Sequence, residues 1–199
     1  MSPKPVDQVY ALVLAAGSGS RFGGGKLMAS WRSGVLLDGA LDAAFAAPVE
    51  SVIVVVGADP AAAAHAEARG ARIALAADHA QGLSASLKAG IAALPADAAG
   101  VLVFLGDMPL VPRAVLAPLV QAIAAGAPAA VPVFEGKAGN PAALSARLFP
   151  QLLALQGDRG ARALIEGLGA AVVKVPAPDA GVLYDVDVPD DLQPDVLST

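Results

Sequence analysis

The chain has 199 residues and a net charge of −5, and its composition is 56% hydrophobic and 16% charged. This length suffices to bury a full core, the low charge argues against disorder, and the acidic balance argues against a broad nucleic-acid surface. The lack of cysteine excludes disulfides, thiolate nucleophiles and thiolate metal sites. With two histidines, His65 and His79, the chain favours a hard cation held by carboxylates, such as Mg²⁺.

The amino-terminal residues do not read as a signal peptide, so we expect a cytoplasmic protein without membrane or nucleic-acid partners. The segment Ala114–Phe134 is apolar except for Gln121 and is long enough to raise the question of membrane insertion. Because Gly126 and Pro128 interrupt it, we predict a helix, a turn and a buried strand instead.

Apolar runs alternate with helical patterns along the chain. Strands are predicted at Val9–Leu14, Ser51–Val56, Arg72–Leu75, Val101–Leu105 and Ala129–Phe134. Helices are predicted at Leu36–Ala46, Pro60–Arg69, Leu83–Leu94, Pro112–Ala125, Ser145–Leu155 and Ala161–Leu168. This order predicts one domain over residues 1–199, an α/β fold with three layers and a mostly parallel, Rossmann-like sheet. The polar turn at residues 135–141 predicts a small hairpin or ribbon. Ligands of such sheets bind beyond the carboxyl ends of the strands.

The first predicted strand is followed by a glycine-rich loop. Five glycines lie between Gly17 and Lys26, together with Arg21, and such a loop can turn backbone N–H groups towards an anion. The loop is not a P-loop, because Leu27 stands where that motif needs Ser or Thr, and it is not a dinucleotide fingerprint, because Phe22 replaces its third glycine. We predict a phosphate-binding loop of another kind.

Carboxylates mark two further segments. Asp107 follows the fourth strand, where it can hold a magnesium–phosphate complex or cap the helix that begins near Pro112. Asp185 and Asp187 follow the apolar run Val182–Tyr184, which is predicted to be extended, so both carboxylates should share one face and suit a common cation.

Two predicted helix starts complete the set of candidate sites. Ser84 and Ser86 open a helix, where hydroxyl groups can bind a base edge or cap the helix. The turn Gly157–Arg162 runs into another helix and suits an anion. Asp158 in this turn is equally well explained as a helix cap.

These segments resemble the MobA-like nucleotidyltransferases. The glycine loop carries their signature at Leu14, Gly17, Arg21, Phe22, Gly23 and Lys26, and Gly106-Asp107-Met108-Pro109 resembles their metal-binding signature. Three more stretches resemble molybdenum cofactor cytidylyltransferases, namely Gly82–Gly90, Gly157–Leu164 and Asp185–Leu192. The resemblance covers Val9 to Leu192.

The resemblance implies a fold of the nucleotide-diphospho-sugar transferase type with a small ribbon on the acceptor side. Residues 9–134 would bind the nucleotide and residues 135–192 the acceptor. The implied reaction transfers CMP from CTP to the phosphate of molybdopterin with Mg²⁺ and releases pyrophosphate. Ala16 matches the cytidylyl branch, since the guanylyl branch has Gly there. Transient contact with a molybdoenzyme or its chaperone is also implied.

The resemblance also assigns roles to residues. The catalytic residues would be Arg21, Lys26 and Asp107. The nucleotide would contact Leu14, Ala15, Ala16, Gly17, Ser18, Gly19, Arg21, Lys26, Gly82, Ser84, Ser86 and Asp107. The acceptor would contact Gly139, Asn140, Pro141, Asp158 and Arg162. The metal would be held by Asp107 and Asp187, with Asp185 as the competitor for the second position.

One departure leaves the acceptor open. The cytidylyltransferases usually have His where this chain has Asn140. A transferase of the same fold that uses GTP, or a sugar or alcohol phosphate, therefore remains an alternative. A carrier or insertion protein for the finished cofactor is a third reading, although pure carriage needs neither Lys26 nor Asp107.

Overall fold

The computed structural model describes residues 8–17, 22–78, 82–157 and 160–192. The strands are β1 (Val9–Ala15), β2 (Ser30–Trp31), β3 (Gly34–Val35), β4 (Val52–Val56), β5 (Arg72–Leu75), β6 (Gly100–Leu105), β7 (Ala129–Phe134), β8 (Lys137–Ala138), β9 (Ala142–Ser145) and β10 (Val172–Pro176). The α-helices are α1 (Leu36–Ala46), α2 (Pro60–Ala68), α3 (Leu83–Ala92), α4 (Leu116–Ala124), α5 (Phe149–Leu153) and α6 (Arg162–Gly167).

One mixed sheet organises the chain. Its strand order is β10-β7-β9-β6-β1-β4-β5, with β8 paired to β7, while β2 and β3 form a separate hairpin. Strands β6, β1, β4 and β5 are parallel neighbours, and β9 runs antiparallel between β6 and β7. The predicted α/β fold with a mostly parallel sheet is confirmed.

The central strands of the sheet are buried on both faces. Val13 of β1 belongs to a core that includes Leu41 of α1 and Leu119 of α4. The alternate residue Leu12 belongs to a second core that includes Leu87 of α3. Since successive side chains of a strand point to opposite faces, the continuous apolar runs place helices on both sides and give three layers.

The predicted ribbon is a tight hairpin. Glu135 and Gly136 join β7 to β8, and both have positive φ angles, 47° and 79°. Two such residues match the twist of the strands that they connect. After β8 and the cis peptide bond Asn140–Pro141, the chain returns to the main sheet as β9.

The hairpin of β2 and β3, two strands of the main sheet and the starts of two helices differ from the sequence prediction. Neither β9 nor β10 is predicted, and the helix expected at Ser145–Leu155 is wrong, because Ser145 ends β9 and α5 spans only Phe149–Leu153. The backbone stays extended here since Ser145 N donates to Pro128 O and Ala146 N to Ala99 O, at 2.9 Å each. Helix α4 likewise begins later than predicted, after a 3-10 turn at Arg113–Val115.

The apolar segment that resembles a membrane span is divided between α4 and β7. Among the helices that the structure describes, none has the length and apolar character needed to cross a bilayer.

Candidate active site

The glycine loop positions Lys26 through its own backbone and one apolar anchor. Gly23, Gly24 and Gly25 have φ angles of 90°, 96° and 63°, a region that side chains disfavour. A 3-10 turn, Lys26–Met28, follows, and Leu27 within it is buried in the core. Lys26 is thereby fixed at the carboxyl end of β1. Ser18, Gly19 and Arg21, predicted to bind the nucleotide, lie outside the described residues.

The loop after β6 is joined to two other segments by backbone hydrogen bonds. Gly106 N donates to Leu14 O at 2.9 Å, which holds this loop against the end of β1. Val186 N donates to Asp107 O at 3.0 Å, which fastens the carboxyl-terminal segment to the same loop. Three stretches that are distant in sequence therefore meet beside Asp107.

The Lys26 ammonium group lies at this junction. Its Nζ is 2.7 Å from Asp107 Oδ2 and 3.7 Å from Asp187 Oδ1, and it donates to Val186 O at 2.7 Å. The Lys26 side chain is only 12% exposed, so its attraction to the carboxylates is screened less than at an open surface. Asp107 does not cap the 3-10 turn Arg113–Val115, because Pro112 is the N-cap residue there and no side chain accepts a capping hydrogen bond. The Asp107 carboxylate instead forms the ion pair with Lys26.

Asp185 brings a third carboxyl group towards the same place. Asp185 and Asp187 are exposed, while Val186 between them is fully buried, so the two carboxylates leave the same side of the segment. Partial burial, together with the charges of Asp107 and Asp187, raises the pKa of Asp185. The extended run predicted at Val182–Tyr184 is wrong, because a 3-10 turn spans Ala180–Leu183. The carboxylates converge through the Val186–Asp107 hydrogen bond rather than through a strand.

The donor set fits a cation that is completed by substrate oxygens. Within residues 8–17, 22–78, 82–157 and 160–192, no group of three or more His, Asp or Glu side chains is arranged to hold a metal. Asp107 and Asp187 nevertheless flank one cationic nitrogen. Magnesium is commonly held by one or two carboxylates together with substrate phosphates, which is what this pair offers.

A cavity of about 350 Å³ opens beside the ribbon, and we call it the ribbon cavity. Its walls are mostly aliphatic, and three predicted acceptor residues contribute to it, Gly139, Asn140 and Arg162, together with Leu14 from the nucleotide set. Arg162 Nε donates to Glu166 Oε1 at 3.0 Å, an exposed pair at the cavity rim. Pro141 follows Asn140 through the cis bond, and Asp158 lies outside the described residues.

The ribbon is fastened to the segment that leads to the carboxylates. Asn140 N donates to Val182 O at 2.8 Å. A Cβ atom on Gly139 would lie 2.2 Å from that same oxygen, so only glycine permits this approach. The backbone at Val182 therefore contacts the ribbon at the edge of the ribbon cavity and leads into the segment that carries Asp185 and Asp187.

A second cavity, of about 390 Å³, lies on the glycine-loop side, and we call it the loop cavity. Four predicted nucleotide residues line it, Ala15, Ala16, Gly17 and Lys26. Sequence reasoning missed Gly57, Ala58 and Asp59, which also line it. The available signal was their position: they follow β4, the parallel neighbour of β1.

The remaining residues that are predicted to bind the nucleotide, Gly82, Ser84 and Ser86, lie at the start of α3. Gly82 is the N-cap residue of α3, so Ser84 and Ser86 lie within its first turn, and both are buried. Ser84 N donates to Gly157 O at 3.2 Å, which joins α3 to the turn that precedes α6. Leu83 and Leu87 of α3 line the ribbon cavity.

Comparisons with known proteins agree with this geometry. Residues 11–180 match the family described as the MobA-like NTP transferase domain. The chain belongs to the MobA-like NTP transferase family. It is therefore a nucleotidyltransferase, an enzyme whose relatives bind a nucleoside triphosphate and a phosphorylated acceptor. No curated protein matches the chain by sequence.

Solved structures of similar fold cover nearly the whole MobA-like chain. A homologue of rv0371c from Mycobacterium sp. strain JC1 is 32% identical, with a TM-score of 0.80 over 92% of each chain. Rv0371c from Mycobacterium tuberculosis H37Rv is 29% identical, with a TM-score of 0.80 over 92% of this chain and 95% of its own. A manganese complex of Rv0371C is 28% identical, with a TM-score of 0.75 over the same shares.

Proposed function

We propose that this enzyme transfers CMP from CTP to a phosphorylated acceptor, with molybdopterin as the first candidate, and releases pyrophosphate. The observation that carries the proposal is the Lys26 ammonium between Asp107 and Asp187, at 2.7 and 3.7 Å. Lys26 lines the loop cavity, and neighbouring residues of β1 line the two cavities. Leu14 lines the ribbon cavity and Ala15 the loop cavity.

In the proposed reaction, an acceptor phosphate oxygen attacks the α-phosphorus of CTP. One P–O bond forms, the bond to the bridging oxygen of the β-phosphate breaks, and pyrophosphate leaves with the electron pair. An acceptor phosphate that is already ionised needs no general base. The protein's contribution is then mainly alignment of the two phosphates and stabilisation of the charge that develops.

The residues divide this work between them. The glycine loop presents backbone N–H groups to the triphosphate, and Lys26 turns from the carboxylates to the departing phosphates. Arg21, which lies outside the described residues, is proposed to act beside Lys26. Ser84, Ser86 and Gly82 are proposed to meet the base.

Asp107 and Asp187 are proposed to hold one divalent cation against the phosphates, and Mg²⁺ is our first candidate. A bound cation would neutralise the negative charge of the triphosphate at the point of attack. The manganese complex of Rv0371C supports a divalent ion in a related protein. The shared approach of Asp107 and Asp187 to one ammonium nitrogen supports it for this chain.

The ribbon cavity supports an acceptor with an apolar or planar body. Its walls include Leu14, Leu83, Val131 and Ile165, while Asn140 and Arg162 supply polar groups. Such a surface favours a heterocycle with one phosphate over a sugar, whose many hydroxyl groups would lose hydrogen bonds with water. Because Asn140 stands where cytidylyltransferases have His, sugar and alcohol phosphates remain the second class of acceptor.

The test is pyrophosphate release with Mg²⁺, each of the four nucleoside triphosphates, and three acceptors: molybdopterin, a sugar phosphate and an alcohol phosphate. We expect release with CTP and molybdopterin well above every other combination. Release with GTP, or with a sugar phosphate, would move the enzyme to another branch of the fold. Binding of the finished molybdenum cofactor, with no pyrophosphate release under any combination of nucleotide and acceptor, would favour a carrier protein.

A further inference from the structure

The turn after Asp187 is closed by a carboxylate. Asp191 Oδ2 accepts hydrogen bonds from Asp187 N at 2.8 Å and from Val188 N at 2.9 Å. Asp191 N in turn donates to Val188 O at 3.0 Å. The backbone of Asp187 is therefore held by the side chain four residues later. A 3-10 turn spans Pro189–Leu192, with Asp190 and Asp191 in its first turn.

The same residue is anchored from the other side. The Tyr184 hydroxyl donates to the backbone carbonyl of Asp191. The Tyr184 ring lies against Trp31, with 6.4 Å between ring centroids, and Trp31 is buried in the core. The loop that carries Asp185 and Asp187 is thus closed at its base by Tyr184 and Asp191.

The loop is also held at its centre. Val186 is fully buried, its N–H donates to Asp107 O, and its carbonyl accepts from Lys26. Two points of attachment, Val186 and Asp191, therefore lie on either side of Asp187. A backbone held on both sides leaves mainly side-chain rotation to the Asp187 carboxylate.

We propose that Asp191 is a positioning residue that aims the Asp187 carboxylate at the cation site shared with Asp107. This inference rests on the proposed function, since it needs a cation between those carboxylates. Asp191 Oδ2 is occupied by two backbone N–H groups, so its part is to fix the ligand. Partners that orient metal ligands in this way typically change metal affinity or activity by about 10–100-fold when removed.

The experiment is a Mn²⁺ titration of the nucleotide-free protein, followed by water-proton relaxation, on wild type and four variants. We expect Asp187→Asn to remove most of the binding and Asp191→Ala to weaken it about tenfold or more. Asp191→Asn should stay close to wild type, because its amide oxygen can accept both N–H groups. Asp190→Ala is the matched control, since it removes the same charge from an exposed neighbour and should also stay close to wild type.

The outcomes separate this inference from the proposed function. Loss with Asp187→Asn but not with Asp191→Ala overturns the positioning role and leaves the proposed metal site standing. Equal loss with Asp191→Asn and Asp191→Ala also overturns it, because charge would then be the cause. Equal binding by wild type and Asp187→Asn, both without nucleotide and with CTP present, overturns the proposed cation site, and this inference with it.

A measurement on the wild type covers the case in which Asp191→Ala does not fold. Hydrogen exchange of the Asp187 and Val188 amides, read by NMR, reports whether those N–H groups are bonded. The proposal is supported if the Asp187 and Val188 amides exchange slowly in the metal-free wild type and rapidly in a folded Asp191→Ser variant. Exchange at the unprotected rate in wild type overturns it.

Discussion

At the scale of single residues, Lys26 has one role in the ligand-free protein and a second role proposed for the reaction. It neutralises Asp107 and Asp187 in the ligand-free protein, and it is proposed to serve the phosphates during the reaction. We expect Lys26→Ala to lower turnover by about 10²–10³, the usual effect of removing one preorganised charge or donor. The same substitution leaves the carboxylates facing each other without a cation, so Mn²⁺ should bind the ligand-free variant more tightly than wild type.

Lys26→Ala is therefore expected to lower turnover and to raise the affinity for Mn²⁺. Lys174→Ala, an exposed lysine on β10, is the control and should leave both unchanged. A Lys26→Ala enzyme that keeps more than about half of the wild-type rate would mean that Lys26 only pairs with the carboxylates and is not needed for the reaction.

Ala16 is the residue on which the choice of base depends. It is 5% exposed and lines the loop cavity. We expect CTP to bind more tightly than GTP by roughly 10–200-fold, the usual range for exclusion by a pocket wall, and Ala16→Gly to narrow the difference. Calorimetry with Mg²⁺ measures both dissociation constants, and Ala58→Gly, which makes the same change at another residue that lines that cavity, is the control. Equal constants for CTP and GTP in wild type would refute the role of Ala16.

At the scale of secondary-structure elements, Asp38 joins two helices. Asp38 of α1 accepts from Val35 N at 2.9 Å and lies 2.7 Å from His65 Nε2 of α2, and it also pairs with Arg69. Desolvation opposes ionisation, yet the hydrogen bonds and the positive charges prevail, so the pKa of Asp38 is lowered. A lowered pKa in the folded state means that the ionised carboxylate stabilises the fold.

This contribution is present above the ordinary aspartate pKa of about 3.9 and is lost as the pH falls through the lower value in the folded protein. We expect Asp38→Asn to lower the free energy of unfolding by about 1.5–3 kcal/mol at pH 7, the usual value for hydrogen bonds to a charged group. The penalty should shrink near pH 3. Asp42→Asn, whose exposed carboxylate pairs with Arg69 at 2.5 Å, should cost less than about 1 kcal/mol. Urea unfolding at both pH values is the measurement, and an equal Asp38→Asn penalty at the two would contradict the assignment.

The elements also show which strands can be predicted from the local hydrophobic pattern. The five predicted strands lie within one residue of their observed ends. Four of them are apolar runs that are largely buried on both faces, whereas β5 lies at the sheet edge with Arg72 and Leu75 exposed. Strand β9 is rich in alanine, which has low strand propensity, and it is held in place by pairing with β6 and β7. Such pairing over long distances in sequence leaves no local signal.

The candidate site likewise contains residues that the local sequence predicts and residues that depend on contacts distant in sequence. The residue types near the strand ends, Lys26 and Asp107, could be chosen from the sequence because the carboxyl ends of parallel strands meet at one edge. The way Asp187 arrives could not, since it depends on Val186 N bonding to Asp107 O across the fold. The sequence gives no signal for the role of Asp191 either, because its partners are backbone N–H groups, which every sequence contains.

At the scale of the whole molecule, the site draws on nearly the full length of the chain. Lys26 comes from the first loop and Asp187 from the last described segment, and 160 positions separate Lys26 from the carbonyl of Val186 to which it donates. We propose that this junction binds one divalent cation together with the nucleotide, through Asp107 and Asp187.

The most direct test is the magnesium dependence of pyrophosphate release for Asp107→Asn, Asp187→Asn and Asp185→Asn, with melting temperatures recorded alongside. We predict that the first two abolish turnover at every magnesium concentration while the protein stays folded, because each variant leaves Lys26 its hydrogen bond to Val186 O and one carboxylate. Asp185→Asn should be milder. If Asp187→Asn leaves turnover and magnesium dependence unchanged, the second ligand lies elsewhere and the segment Asp185–Leu192 is only structural.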